Sequence, residues 1–106
     1  MSITEITPAE FLSRRAAGDS LILLDVREDW EISVASVPAV VHIPMGQVES
    51  RLSELDKNKE IVVLCRSGRR SYEVAKLLQS NGYQAINLAG GILAWSRDID
   101  PSIPTY

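Results

Sequence analysis

The chain has 106 residues, 45% hydrophobic and 24% charged, a balance that fits one folded domain around one core. Its net charge of −3 excludes the broad basic face of a general nucleic-acid binder. No apolar run approaches the ~18 residues needed to cross a bilayer, which excludes a membrane-spanning helix.

The opening MSITEITP lacks the basic and apolar regions of a signal peptide, and the single cysteine cannot close an internal disulfide. The expectation is one cytoplasmic domain over residues 1–106. Thr7-Pro8-Ala9-Glu10 reads as an N-cap, a proline at the first helical position and the glutamate of a capping box. It predicts a helix to about Arg15 or Ala16, broken at Gly18. SLILLD, residues 20–25, is a continuous apolar run ending in an acid, a strand covered on both faces. A short helical turn from about Glu28 to Ser33 follows, then a short strand, Val40-Val41-His42, bounded by Pro38 and Pro44.

Val48, Leu52 and Leu55 recur at i, i+4 and i+7 and predict an amphipathic helix. EIVVLC, residues 60–65, is a second fully apolar strand. Beyond it Tyr72, Val74, Ala75, Leu77 and Leu78 mark the buried stripe of a helix closed by Gly82 after Asn81. QAINL is the last strand and GGILAWSRD a final short helix. This alternation implies an α/β fold, a parallel sheet flanked on both faces by helices. Ligands of such sheets bind beyond the carboxyl ends of the strands, where Cys65 and Asp25 both fall.

The charge is uneven along the chain. Arg66, Arg69 and Arg70 lie within residues 65–71, which hold no acid, while the remainder carries −6. A basic island on an acidic background favours an anionic ligand at that loop. A lone cysteine at a strand end is most often a core residue. A core thiol, however, gains nothing from three arginine neighbours, whose desolvation is costly. A reactive thiolate gains from cationic neighbours and from a helix N-terminus. The tight turn after Cys65, with Gly68 to relax it, points successive backbone N–H groups inward as an anion nest.

Cys65-Arg66-Ser67-Gly68-Arg69-Arg70 resembles the six-residue active-site loop, C-R-x-G-x-R, of the rhodanese family of sulfurtransferases. LLDVREDWE, residues 23–31, resembles the family's D-V-R-x-x-x-E segment, and LAGGILAW its G-G-x-x-x-W segment. VPAVVHIPMGQV matches the I-P-G-A-x-x-I-P segment in part. The family's glycine there is Ala39 in this chain, and its G-H-I-P is Ala35-Ser36-Val37-Pro38. DIDPSIPTY at the end resembles the tail of rhodanese domains fused behind enzymes that adenylate sulfur-carrier proteins.

The resemblance implies sulfane-sulfur transfer through a persulfide on Cys65, with thiosulfate or another anionic donor, or a protein donor. Cyanide or a protein thiol would be the acceptor. It implies that Arg66 and Arg70 attract the donor, that Arg69 sits at the pocket rim, and that Ser67, Gly68 and Ser71 complete the binding loop. No metal or organic cofactor is required. Asp25 and Arg27 are expected as a salt bridge supporting the loop, and Gly90 and Gly91 as points of close backbone approach. His42, Trp30 and Trp95 are expected to pack or cap. A non-catalytic sulfur-binding, sensing or interaction module is the alternative. Phosphotyrosine-type phosphatases and arsenate reductases fit less well: they need cysteine, five residues, then arginine, and position 71 is Ser71 with Leu64 before the cysteine.

Overall fold

The computed structural model describes residues 2–106. Five parallel strands form one sheet in the order β1-β5-β4-β2-β3. These are β1 (Thr4–Ile6), β2 (Leu21–Asp25), β3 (Val41–His42), β4 (Glu60–Leu64) and β5 (Gln84–Leu88). Four α-helices connect or flank them: α1 (Pro8–Ala16), α2 (Asp29–Val34), α3 (Arg69–Ser80) and α4 (Gly91–Asp98). The expected α/β architecture is the observed one.

Alternation along the central strands splits the core into two layers. Leu24, Ile61, Val63 and Cys65 face one side, where they meet Val74, Ala75 and Leu78 of α3. Leu23, Val62, Leu64 and Ile86 face the other, where Phe11 of α1 and Ile92 and Trp95 of α4 cover them. Because β2 and β4 are buried on both faces, they read as unbroken apolar runs rather than as alternating ones. The start of α1 has the full capping box, with Thr7 Oγ1 accepting from Glu10 N–H and Glu10 Oε1 accepting from Thr7 N–H.

Two elements differ from the sequence reading. β1 was not anticipated: three residues are too few to show a period, and the strand exists through its pairing with β5. Residues 45–54 are not an amphipathic α-helix but two 3-10 helices, Met45–Gln47 and Glu49–Glu54, kinked at Arg51 (φ −120°, ψ 20°). Their bonds run to the third residue back, as from Arg51 N–H to Val48 O and Leu55 N–H to Leu52 O. Val48 and Leu55 are still buried, so packing kept the apolar face while Gly46, Ser50 and Ser53 gave little α-propensity.

β4 ends at Leu64, and Cys65 is the first residue beyond it. Register aligns Asp25 with Leu64, and Val63 with Asn87. The residues following β2, β4 and β5 therefore gather at one end of the sheet. No helix among the described residues is long and apolar enough to cross a membrane.

Candidate active site

The loop leaves β4 at Cys65 and enters α3 at Arg69, with Gly68 (φ 101°) as the helix cap. Its carbonyls turn outward because α4 offers them donors. Ile92 N–H donates to Cys65 O at 2.9 Å, and Leu93 N–H to Arg66 O at 3.1 Å. These are first-turn amides that α4 cannot satisfy internally. A Cβ on Gly91 would lie 2.5 Å from both the Cys65 and Arg66 carbonyl oxygens, so only glycine fits there. The expected close approach near the loop is thus present at Gly91.

With the carbonyls tied back, the loop's amides face the sulfur. Gly68 N–H donates to Cys65 Sγ at 3.1 Å, and the Ser71 hydroxyl lies 3.2 Å from it. Cys65 is 1% exposed. Burial pushes its thiol up, but hydrogen bonds from the Ser71 hydroxyl and from the Ser71, Gly68 and Ser67 amides outweigh it and hold the thiol below its ordinary value.

The arginines occupy three different situations. Arg70 makes a two-pronged pair with Glu31 of α2, at 2.6 and 2.8 Å. Arg66 is exposed and lies over the Tyr106 ring, 5.2 Å from its centroid. Arg69 is exposed. Among the described residues, neither Arg66 nor Arg69 has a carboxylate partner within ion-pair distance. Sequence reading treated the three as one basic island. Arg70's charge is in fact already matched by a carboxylate.

Arg27 and Asp25 form the expected salt bridge, fully buried, with Nη2 2.8 Å from Oδ2 and Nε 3.0 Å from Oδ1. Arg27 also donates to the Tyr106 hydroxyl at 2.9 Å, which in turn donates to Glu31 Oε2 at 2.7 Å. The chain from Asp25 to Arg70 is therefore continuous through Arg27, Tyr106 and Glu31. Bonds from Arg70, with help from the Glu28 amide and Tyr106, bring the Glu31 carboxyl down to about 2 against the pull of burial. His42 is half-buried, with Nε2 2.7 Å from the Arg27 carbonyl oxygen, a capping contact.

Arg66 and Arg70 reach a cleft of about 550 Å³, which they line with Trp30, Glu31 and Tyr106. Trp95 packs in the core as expected, whereas Trp30 does not. It is 61% exposed and meets Tyr106 edge-on, with ring centroids 5.9 Å apart. Its place on the short α2, beside the cleft, leaves no layer to cover it. Glu31, Tyr106 and Asn87 were not singled out from sequence. Glu31 had a signal, four residues after Arg27 on a helical turn, and Asn87 had another, as the one amide in an otherwise apolar strand end. Nothing in DIDPSIPTY shows that the tail folds back onto α2.

A parallel α/β sheet carrying, beyond its strand ends, a cysteine loop whose donors face the sulfur defines a class of thiol-centred domains. The rhodanese-like domain model matches residues 7–98, and the chain belongs to that family. It is 42% identical over 101 residues to "Putative sulfurtransferase YtwF" of Bacillus subtilis, covering 95% of this chain and 98% of that one. A protein named "Sulfurtransferase" from Allochromatium vinosum is 36% identical over 96 residues, with 90% of each chain covered. The crystal structure of a rhodanese-like domain protein from Staphylococcus aureus aligns with a TM-score of 0.84 at 29% identity, covering 98% and 99%. The Bacillus and Allochromatium relatives both carry sulfurtransferase in their names.

Proposed function

We propose that the protein transfers sulfane sulfur from an anionic donor such as thiosulfate to a thiophilic acceptor through a persulfide on Cys65. The observation that carries this reading is the sulfur itself. Cys65 Sγ sits inside a ring of loop donors, with the Gly68 amide 3.1 Å away and the thiol held below its ordinary value.

The thiolate attacks the outer sulfur of thiosulfate, forming a Cys65 Sγ–S bond. The donor's S–S bond breaks, and its electron pair leaves with sulfite. Negative charge then rests on the outer sulfur of the persulfide. Cyanide or a thiolate attacks that sulfur, and the electron pair of the persulfide bond returns to Cys65 as thiolate. Each half is a nucleophilic displacement at sulfur, and neither needs a metal or organic cofactor. Loop amides stabilise the persulfide anion as an oxyanion hole stabilises oxygen.

Arg66, exposed and without a carboxylate partner, draws the anionic donor toward the loop. Arg70, locked to Glu31, shapes the cleft wall and adds a weaker net field. Ser67, Gly68 and Ser71 supply donors to the sulfur, and Arg69 stands at the rim. Asp25 and Arg27 hold the floor through their buried pair. The domain works as one unit in a reducing, cytoplasmic setting, where a protein persulfide is an equally suitable donor. Thiocyanate production from thiosulfate and cyanide tests the reading. The wild-type protein is expected to turn over, and Cys65→Ala to fall to the uncatalysed rate; equal rates would refute it.

A further inference from the structure

A hydrogen-bond chain runs from Cys65 to the edge of the sheet. Ser71 Oγ is 3.2 Å from Cys65 Sγ and 2.6 Å from Asn87 Oδ1. Asn87 Nδ2 donates to Glu5 Oε2 at 2.7 Å and to the Gly68 carbonyl at 3.0 Å. Glu5 and Asn87 are register partners in parallel strands β1 and β5, which places their side chains on one face. Ser71 and Asn87 are fully buried, so no water competes for the contacts of the Ser71 hydroxyl, whereas Glu5 ends the chain at the exposed sheet edge.

The donor count decides what this chain can do. A hydroxyl carries one hydrogen, and Ser71 faces two acceptors, the Asn87 amide oxygen and the Cys65 sulfur. The asparagine cannot turn over, because both of its amide hydrogens are taken by Glu5 and Gly68. Its oxygen must therefore face Ser71. While Cys65 is a thiol, the Ser71 hydrogen goes to Asn87 and the S–H can point at Ser71 Oγ. When the S–H proton leaves to solvent, the thiolate competes for the Ser71 hydrogen, and Asn87 Oδ1 loses its buried donor.

We propose that the Ser71 hydroxyl is a one-proton switch between Asn87 and Cys65, and that Glu5, acting through Asn87, is a positioning residue that sets how readily Sγ holds charge. The Glu5 carboxylate polarises the Asn87 amide, strengthens its hold on the Ser71 hydrogen and so opposes charge on Sγ. Under the sulfurtransferase reading, on which this consequence alone rests, the switch favours loading. In the persulfide the charge moves to the outer sulfur, Sγ becomes a neutral bridge, and the Ser71 hydrogen returns to Asn87.

The other charged groups around the sulfur are identifiable. Its own loop and the start of α3 bring Arg66, Arg69 and Arg70. β2 and the residues after it bring the Asp25–Arg27 pair, and α2 brings Glu31, bound to Arg70. Tyr106 of the tail is bound to Arg27 and Glu31, and His42 at the end of β3 is turned to the Arg27 carbonyl. α4 meets the loop with amides, its Arg97 and Asp98 pairing with each other at the surface. Among the described residues, only Glu5 is a charged group linked to the sulfur through Asn87 and Ser71.

The test is the pH dependence of Cys65 alkylation by iodoacetamide, a neutral probe, in wild-type, Glu5→Gln, Ser71→Ala and the double variant. Glu5→Gln is expected to shift the alkylation midpoint to lower pH and raise the rate below it about threefold. Glu5 is exposed, so a direct field from its carboxylate at the sulfur would be screened at about 1 M salt, whereas a shift relayed through its 2.7 Å bond to Asn87 should persist. In the Ser71→Ala background, Glu5→Gln should have no effect. An absent or upward shift, one abolished by salt, or one retained without Ser71 would overturn the proposal. If Ser71→Ala does not fold, the salt comparison on Glu5→Gln decides alone. Alkylation needs no sulfur donor, so a chain that shows the switch but never takes up sulfur would refute the transfer reading and leave the switch standing.

Discussion

Ala39 adopts φ 60°, the left-handed region where the Cβ of an L-residue crowds the following carbonyl. It is the residue at which the chain departs from the glycine of its family's third segment. Because glycine takes this conformation without that crowding, Ala39→Gly is expected to stabilise the fold by about 1 kcal/mol, after allowance for glycine's freer unfolded state. Urea unfolding measures it, and a loss of stability would show that the turn has relaxed around alanine. The departure itself was legible from sequence, but the positive φ it occupies was not, since a bend geometry depends on where β3 docks. The arginines show the same limit. Their number in the loop was plain, yet which one is matched by a carboxylate depended on Glu31, 39 residues away from Arg70.

At the scale of elements, the site is made by α4 docking against the cysteine loop. Sequence order placed Cys65 at a strand end and a glycine pair at the start of the last helix, and both readings stand because apolar runs and glycine punctuation are local signals. The contact between them is not local. Gly91→Ala would drive a Cβ into the Cys65 and Arg66 carbonyls at 2.5 Å and impose φ 59° on alanine. We expect destabilisation of about 2 kcal/mol or more and a loss of sulfur-transfer activity, as the loop carbonyls are pushed inward toward the sulfur. Thermal unfolding and thiocyanate assays on this variant check both; unchanged activity would mean that the α4 contact does not shape the loop. β1 and the 3-10 helices were illegible for a related reason. A three-residue edge strand has no period of its own, and an i, i+4, i+7 pattern cannot distinguish an α-helix from kinked 3-10 turns that bury the same residues.

For the whole molecule, the polar chain from Asp25 through Arg27, Tyr106 and Glu31 to Arg70 ties β2, α2, the tail and α3 together around the cleft. Glu31 is buried, and its carboxyl is lowered from an ordinary 4.5 to about 2. A depressed acid contributes stability that is fully present above its unfolded value and is lost as pH falls through the folded one. The wild-type protein should therefore lose on the order of 1–3 kcal/mol between pH 4.5 and about 2 from this group, the partly exposed Arg70 setting the lower figure. Denaturant titrations across that range should show a flatter profile for Glu31→Gln, and an equally steep one would remove Glu31 from the acid transition.

The central claim is that Cys65 carries sulfur, and intact mass after incubation with thiosulfate and desalting reads it most directly. The wild-type chain should gain the mass of one sulfur atom, lose it on addition of cyanide, and gain nothing as Cys65→Ala. A wild-type mass that does not change, or a Cys65→Ala variant that gains the same sulfur, would contradict it.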